Sequence, residues 1–446
     1  MVCSRHANCR FAARNQKGVK TLVLSLKSRV ALLSFSSLAA LGSLVVVGPG
    51  SAAAASAPIH LVWTVWGSPL DTATYQLRAN EYHALHPNVS ISVINLPQYD
   101  QQVETMIAGG KSPDIMNVAQ DGVGFGVNGA VENLAPLIKE SHFNLDRFSP
   151  GYIGEYSYRG AIYGLPDRGG YSMIFFNKAL FRAAHIPYPT SDWTWADFLR
   201  DAQKMTIVKD GKTVQWGFAG SGWWPYFGAL VHEAGGNFIN ANETSGTVSS
   251  PATQAGLNFA NDLAFKWHVT PTPVEAANFG ANGPNIARGN IGMNMDSFWD
   301  IKTLYASLGQ NLGMAPFPKD KTGGMETVGT GVAIAAQSKY IQADWDFLQW
   351  LSTPAGQRQI VINHEDMPAT KYGLSLWIKT LPKGLSYSLL APDAKDVFSP
   401  RIPPTWTQLQ TVEGNDLTPF WDGKTTIAAL APKLDQDISG VLNSGQ

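Results

Sequence analysis

Residues 59–95 read IHLVWTVWGSPLDTATYQLRANEYHALHPNVSISVIN, and this stretch decides the fold. Ile59, Leu61, Trp63 and Val65 alternate on one face of a strand that ends at Trp66. Across residues 72–85, Tyr75, Ala79, Tyr82 and Leu85 recur by fours and threes, the spacing of one helix face. His86-Pro87-Asn88 stops that helix, because proline disfavours helical backbone in the residue before it. Val89, Ile91 and Val93 then alternate as a second strand. Strand, helix and strand at this spacing make a βαβ unit, which implies a parallel sheet covered by helices and an α/β fold.

The alternation continues outward. Helices are expected over 98–108, 178–185, 194–205 and 341–352, with strands over 115–118, 172–176 and 332–336. Ile427, Leu430, Leu434, Ile438 and Val441 form a last helical stripe, which Pro432 is expected to kink or restart. No short-period repeat or low-complexity linker divides the chain. Two α/β lobes joined by several crossings therefore fit better than two domains in tandem.

The first fifty-odd residues are of another kind. Residues 1–57 carry seven basic residues and no acid, then an apolar run from Val30 to Val47, then Gly48-Pro49-Gly50 and a stretch of small residues. A basic start, an apolar middle and a small-residue exit read as a secretory signal peptide over 1–55, cut after Ala53 or Ala55; the alternative is an uncleaved membrane anchor. Both cysteines, Cys3 and Cys9, fall here, so the exported chain has no thiol and no disulfide. Of the 33 basic residues, 26 remain against 34 acidic ones, a net charge near −8 in place of −1. An acidic chain disfavours nucleic acid and other anionic partners.

The usual catalytic patterns are missing. His232-Glu233 and His364-Glu365 begin like a helical zinc motif, but Gly236 and Pro368 stand where the second histidine belongs. Gly122-Val-Gly124-Phe-Gly126 lacks the lysine and hydroxyl of a phosphate loop and reads as a flexible turn. No Gly-x-Ser-x-Gly elbow occurs. A pair of acids could still assemble into a glycosidase site, so a secreted carbohydrate-active enzyme stays as an alternative. The expectation is no enzyme, no cofactor and no metal.

The informative residues are aromatic. Fourteen tryptophans are present. Trp66 follows the first strand, where parallel sheets place their ligands, and is either a lid on the core or a platform at a site. Trp223-Trp224 sits in a Gly/Ser-rich run and cannot point both rings into one core. Trp299 follows a short apolar strand, and Trp406 lies beyond Pro403-Pro404. Trp345 and Trp350 lie on a helix and are expected in the core. Flat aromatic faces suit the C–H faces of sugar rings, with polar groups at the edge for the hydroxyls. Asp121, Arg168, Asp296 and Asp366 are candidates for that edge; each is otherwise a surface charge or a helix cap.

Several segments together carry a resemblance. They are Ala108-Gly-Gly-Lys-Ser-Pro113-Asp114-Ile115, Gly160-Ala-Ile-Tyr163-Gly164-Leu165-Pro166, and Phe175-Phe176-Asn177-Lys178 followed by Thr194-Trp195-Ala-Asp197-Phe198. Gly235-Gly236-Asn-Phe238, Gly289 to Trp299, and Asp346-Phe347-Leu348 with Thr353-Pro354 follow in order. In this order the chain resembles the extracellular solute-binding proteins of ABC importers, in the sugar-binding group that includes maltose-binding protein. It departs from that pattern at Phe176, at Ser297 and in lacking a lipid-bearing cysteine after the apolar run.

The resemblance implies a two-lobe periplasmic-binding-protein fold of type II, with interleaved lobes joined by a hinge. Lobe one would be 58–167 plus 330–370 and lobe two 168–329 plus 371–446, with crossings near Pro166, Gly329-Thr330-Gly331 and Pro368. It implies a monomeric, extracytoplasmic receptor that captures a carbohydrate and delivers it to the membrane permease subunits of an ABC importer. Trp66 and Asp121 would line lobe one, and Tyr171, Trp223, Trp224 and Trp299 lobe two, with Trp406 nearby. A receptor for a non-sugar such as a glycerol phosphate ester or polyol is the alternative of the same class; its anion would need Arg168 or Arg401.

Overall fold

The computed structural model describes residues 57–149, 151–220, 224–279, 282–364, 366–382, 385 and 397–444. The expected signal segment and Trp223 lie outside them.

The opening βαβ unit forms as its sequence dictates. Strand Ile59–Val65 pairs in parallel with Val89–Asn95 along its whole length, and with Ile115–Val118 on its other side. Helix Pro69–Leu85 begins three residues earlier than its apolar stripe because a capping box starts it. The Asp71 N–H donates to the Ser68 hydroxyl at 3.1 Å, and the Ser68 N–H donates to the Asp71 carboxylate at 2.7 Å. The helix lays its stripe on the sheet. Trp63, with no exposed surface, meets Tyr75 edge-on at 4.8 Å and Phe347 at 5.3 Å. Its indole N–H donates to Asn117 Oδ1 at 2.9 Å, so the ring is buried without stranding its one polar atom.

Two main sheets are present among the described residues. The larger runs in the order Met367–Pro368, Leu165–Tyr171, Met325–Ile334, Ile115–Val118, Ile59–Val65, Val89–Asn95, and Val397–Phe398 pairs with Met325–Ile334. The smaller runs Leu312–Ala315, Met173–Asn177, Ile291–Asp296, Lys212–Ala219, Ile207–Lys209. Each has its own apolar core, one around Trp63, Tyr82 and Phe347, the other around Phe181, Phe218 and Leu257. Trp345 and Trp350 are buried, as their helix positions require.

At one point the chain passes from the larger sheet to the smaller across a single residue. Leu165–Tyr171 belongs to the larger sheet and Met173–Asn177 to the smaller, with Ser172 between them. Ser172 is fixed to the antiparallel neighbour strand by two bonds. Its N–H donates to the Glu326 carbonyl at 2.9 Å, and its hydroxyl accepts the Glu326 N–H at 3.0 Å. Arg78 ties this crossing strand to the first helix. Its guanidinium is fully buried and donates to Asp167 at 2.8 Å and to the Gly356 carbonyl at 2.8 Å.

Some expectations are corrected. The strand expected over 332–336 is the C-terminal part of a ten-residue strand, Met325–Ile334, whose first half is hidden by Gly329 and Gly331. Leu165–Tyr171, with Pro166, Gly169 and Gly170, is not among the expected strands, yet all seven residues are buried strand. The glycines are what the packing demands. A Cβ on Gly170 would overlap the Ser297 side chain, and one on Gly169 would press on the Val328–Gly329 backbone. Pro432 does not restart its helix, which runs over Ile427–Ser444 with the proline inside it. The glycine run after strand Ile115–Val118 is a short helix, Gly122–Val127, rather than a turn. A Cβ on Gly126 would collide with Tyr163, and one on Gly124 with the Pro404 carbonyl at 2.7 Å.

Candidate ligand-binding cleft

A cavity of about 780 Å³ opens beyond the carboxyl ends of the strands. Two segments follow strands directly, Trp66-Gly67-Ser68 after Ile59–Val65 and Ala119-Gln120-Asp121 after Ile115–Val118, and Trp299-Asp300 comes shortly after Ile291–Asp296. Helix Trp406–Asp416 brings Trp406, Thr407 and Gln410, and the paired strands supply a floor of Gly169, Val328, Gly329 and Thr330.

Each wall has a local cause. Gly67 takes φ +126°, a backbone L side chains rarely adopt, and this sharp turn lets Asp71 approach the turn it caps. Trp66 is half-buried and stands edge-on to Tyr99 at 4.7 Å, which holds the indole upright. Tyr99 is itself pinned, its hydroxyl donating to the Asn117 carbonyl at 2.7 Å. Trp406 packs on Val123 and Ile402, so its ring is almost wholly covered where it borders the cavity. Trp299 is the opposite case, a tryptophan left 39% exposed in a concave wall. Such exposure of the largest apolar side chain marks a contact surface.

The charges are uneven. Arg168 is 2% exposed and clamped between Asp71 at 2.8 Å and Asp366 at 3.3 Å, with its guanidinium 4.3 Å from the centre of the Tyr75 ring. Asp121 accepts the Ala119 N–H at 2.8 Å. Burial first, and then the nearby Asp100 charge, push its carboxyl up to about 7, against the pull of the backbone N–H. Burial and the like charge of Asp300 also raise Asp296.

Of the residues expected at a site, the fold brings Trp66, Asp121, Arg168, Trp299, Asp366 and Trp406 around this one cavity. Three fall elsewhere. Tyr171 is 1% exposed and packs on Tyr152 in the core, because both faces of its strand are covered. Trp224 lines a separate chamber of about 30 Å³, where its indole N–H donates to Glu326 at 3.1 Å and its ring meets Trp406 edge-on at 4.8 Å. Asp296 does not line the cavity; its carboxylate accepts the Ser297 N–H at 2.9 Å, beside Asp300, which does. Sequence reasoning missed Tyr99, Asp71, Asp100, Asp300, Lys302 and Gln410, all of which line the cavity. The capping pattern Ser68-x-x-Asp71 was a legible signal for Asp71, though for its helix and not for its second bond to Arg168.

Two sheets whose strand ends face one aromatic-walled cavity define a ligand-binding protein of the α/β class. The sequence pattern of the bacterial extracellular solute-binding proteins matches residues 66–358, and the chain belongs to that family. It is 23% identical over 296 residues to a maltotriose-binding protein of Pyrococcus abyssi, a match covering 64% of this chain and 60% of that one. It is 20% identical over 303 residues to a multiple sugar-binding protein of Streptococcus mutans, covering 63% and 68%. Among solved structures it is similar to an ABC substrate-binding protein of Listeria monocytogenes in complex with cycloalternan, with TM-score 0.77, 18% identity, and 86% and 99% coverage of the two chains. It is also similar to the sugar-binding protein MalE of Xanthomonas citri, with TM-score 0.74, 16% identity, and 86% and 98% coverage. The fold is that of the type II periplasmic binding proteins.

Proposed function

We propose that this chain is an extracytoplasmic receptor that holds a sugar or oligosaccharide in the cleft and delivers it to the permease of an ABC importer. The observation that carries the reading is the cleft wall. Trp66 and Trp299 border one cavity of about 780 Å³, and the carboxylates of Asp71, Asp121 and Asp300 share its lining. Apolar ring faces against C–H faces, and acceptors against hydroxyls, are the two contacts a sugar requires. The names of the relatives support the same ligand class.

The lobes of this reading are 58–167 plus 330–370 and 168–329 plus 371–446, with residues 1–55 as the export signal. The crossings near Pro166, Gly329 and Pro368, which lie on three neighbouring strands of the larger sheet close to the passage at Ser172, act as the hinge. Ligand docks on one wall, and closure adds the other, so the open–closed population shifts by the extra affinity of the closed form. Tyr171, Trp224 and Asp296 act behind the cleft and not on the ligand. The alternative of an anionic ligand loses support, because its two nominated cations are engaged. Arg168 is held by Asp71 and Asp366, and Arg401 lines the small chamber and donates to the Ile239 carbonyl at 2.8 Å.

The test is a thermal-shift screen of the mature chain against mono- and oligosaccharides, followed by recovery of the bound sugar. Saturation at about a hundred times Kd stabilises the fold by about 2.7 kcal/mol. A sugar that raises the melting temperature and is recovered intact supports a receptor. Product formation would replace it with an enzyme, and a full panel without any shift would sink the sugar assignment.

A further inference from the structure

We propose that the cleft is selective for sugars carrying a basic nitrogen, amino sugars, over their neutral and acidic counterparts. The proposal rests on the receptor reading above and names the ligand class of the same site. Five carboxylates line the cavity, Asp71, Asp100, Asp121, Asp300 and Asp366, against two cations, Arg168 and Lys302. Five acids against two cations leave the lining with an acidic excess. Arg168 is shared by Asp71 and Asp366, and the exposed Lys302 ammonium donates to the Asn363 carbonyl at 3.1 Å.

The remaining acids fall into two sets on different elements. Asp100, on helix Tyr99–Ala108, is set with Asp121, just beyond strand Ile115–Val118. Asp300 is set with Asp296, around the exposed Trp299. None of these four has a cationic partner among the described residues. In each set one acid, Asp121 or Asp296, is made harder to ionise by burial first and then by the like charge of its neighbour, Asp100 or Asp300. A cleft built only for neutral hydroxyls gains acceptors from these acids but also bears their mutual repulsion. A ligand ammonium removes that repulsion, donates up to three hydrogen bonds, and meets the exposed faces of Trp66 and Trp299, both favourable surfaces for a cation. A carboxylate or phosphate on the ligand adds to the repulsion instead.

Calorimetric titration of the mature chain tests this with matched sugars: glucose, galactose and mannose and their oligomers, the 2-amino-2-deoxy forms, and the uronic acids. The expected result is an amino sugar bound at least tenfold more tightly than its hydroxyl counterpart, with the uronic acid weakest. In Asp300→Asn and in Asp121→Asn that ratio falls by about tenfold, and 0.5 M salt reduces it in the parent chain. If a neutral sugar binds as tightly as its amino form, or if both variants keep the parent ratio, the proposal is overturned and the receptor reading stands. If no sugar of any charge binds, both are overturned.

Discussion

Glu326 lies at the start of the long crossing strand, fully buried, with one carboxylate oxygen accepting the Trp224 indole N–H and the other without a hydrogen-bond partner. Burial first, and then the charge of Glu155, raise it from an ordinary 4.5 to about 8. The folded value lies above the unfolded one. Between pH 4.5 and about 8 the folded chain therefore holds a proton that the unfolded chain has released, and stability falls as pH rises through that window. Relative to a glutamine, which never ionises, the loss is about 1.4 kcal/mol at pH 5.5 and about 4.6 kcal/mol at pH 8.5, taking about 1.36 kcal/mol per tenfold change in proton activity. Glutamine keeps the acceptor for Trp224. The roughly 390 residues from 57 onward unfold with an entropy of about 0.8 kcal/mol/K. The melting-temperature difference between Glu326→Gln and the parent should thus widen by about 4 °C between pH 5.5 and 8.5, in favour of the variant. Scanning calorimetry at half-unit steps measures it. Parallel curves across that range would show that Glu326 is ionised in the fold, and the electrostatic reasoning would fail.

Other consequences are simpler. Trp299→Ala removes a ring that is 39% exposed in the cleft wall and should weaken sugar binding at least tenfold, the loss of roughly 1.5–3 kcal/mol of apolar contact; titration calorimetry reads the affinity, and a melting curve of the ligand-free variant checks that the fold is kept. Asp167→Asn strands the buried Arg78 guanidinium and should cost about 3–5 kcal/mol, a fall of about 4–6 °C by circular dichroism; a fall under 1 °C would mean that water reaches the pair. Gly217→Ala drives a methyl into the Ala202 carbonyl and should destabilise by about 3 kcal/mol in urea unfolding, whereas Gly414→Ala, with open space around it, should not destabilise.

The sequence showed the fold class because its signals are local. Alternation in 59–65 and 89–95, the stripe and capping pattern between them, and the 194–205 helix with its Thr194–Asp197 capping box all act within a few residues. Leu165–Tyr171 was hidden for the converse reason. A strand covered on both faces needs no alternation, and Gly169 and Gly170 answer to Val328, Ser297 and Phe298, more than a hundred residues away. The same holds at the cleft. Trp66 and Trp299 were visible as tryptophans in strand-end positions, whereas Tyr99 and Asp100 sit in an ordinary helix and gain meaning only from what faces them.

By itself, then, the sequence determined an α/β chain that is acidic and free of cysteine from residue 58 onward, after a basic and apolar first segment, with more tryptophan than a core alone explains. Residue type and spacing fix those properties. Only the tertiary structure decided which aromatics are walls and which are filling. Trp63 and Tyr171 are sealed by neighbours distant in the chain, and Trp224 faces Glu326 instead of the cleft, while Trp299 is left open. It also decided the charge of the site. Arg168 looked free to hold an anion until the fold set Asp71 and Asp366 against it, since an ion pair depends on three-dimensional distance that no local pattern encodes.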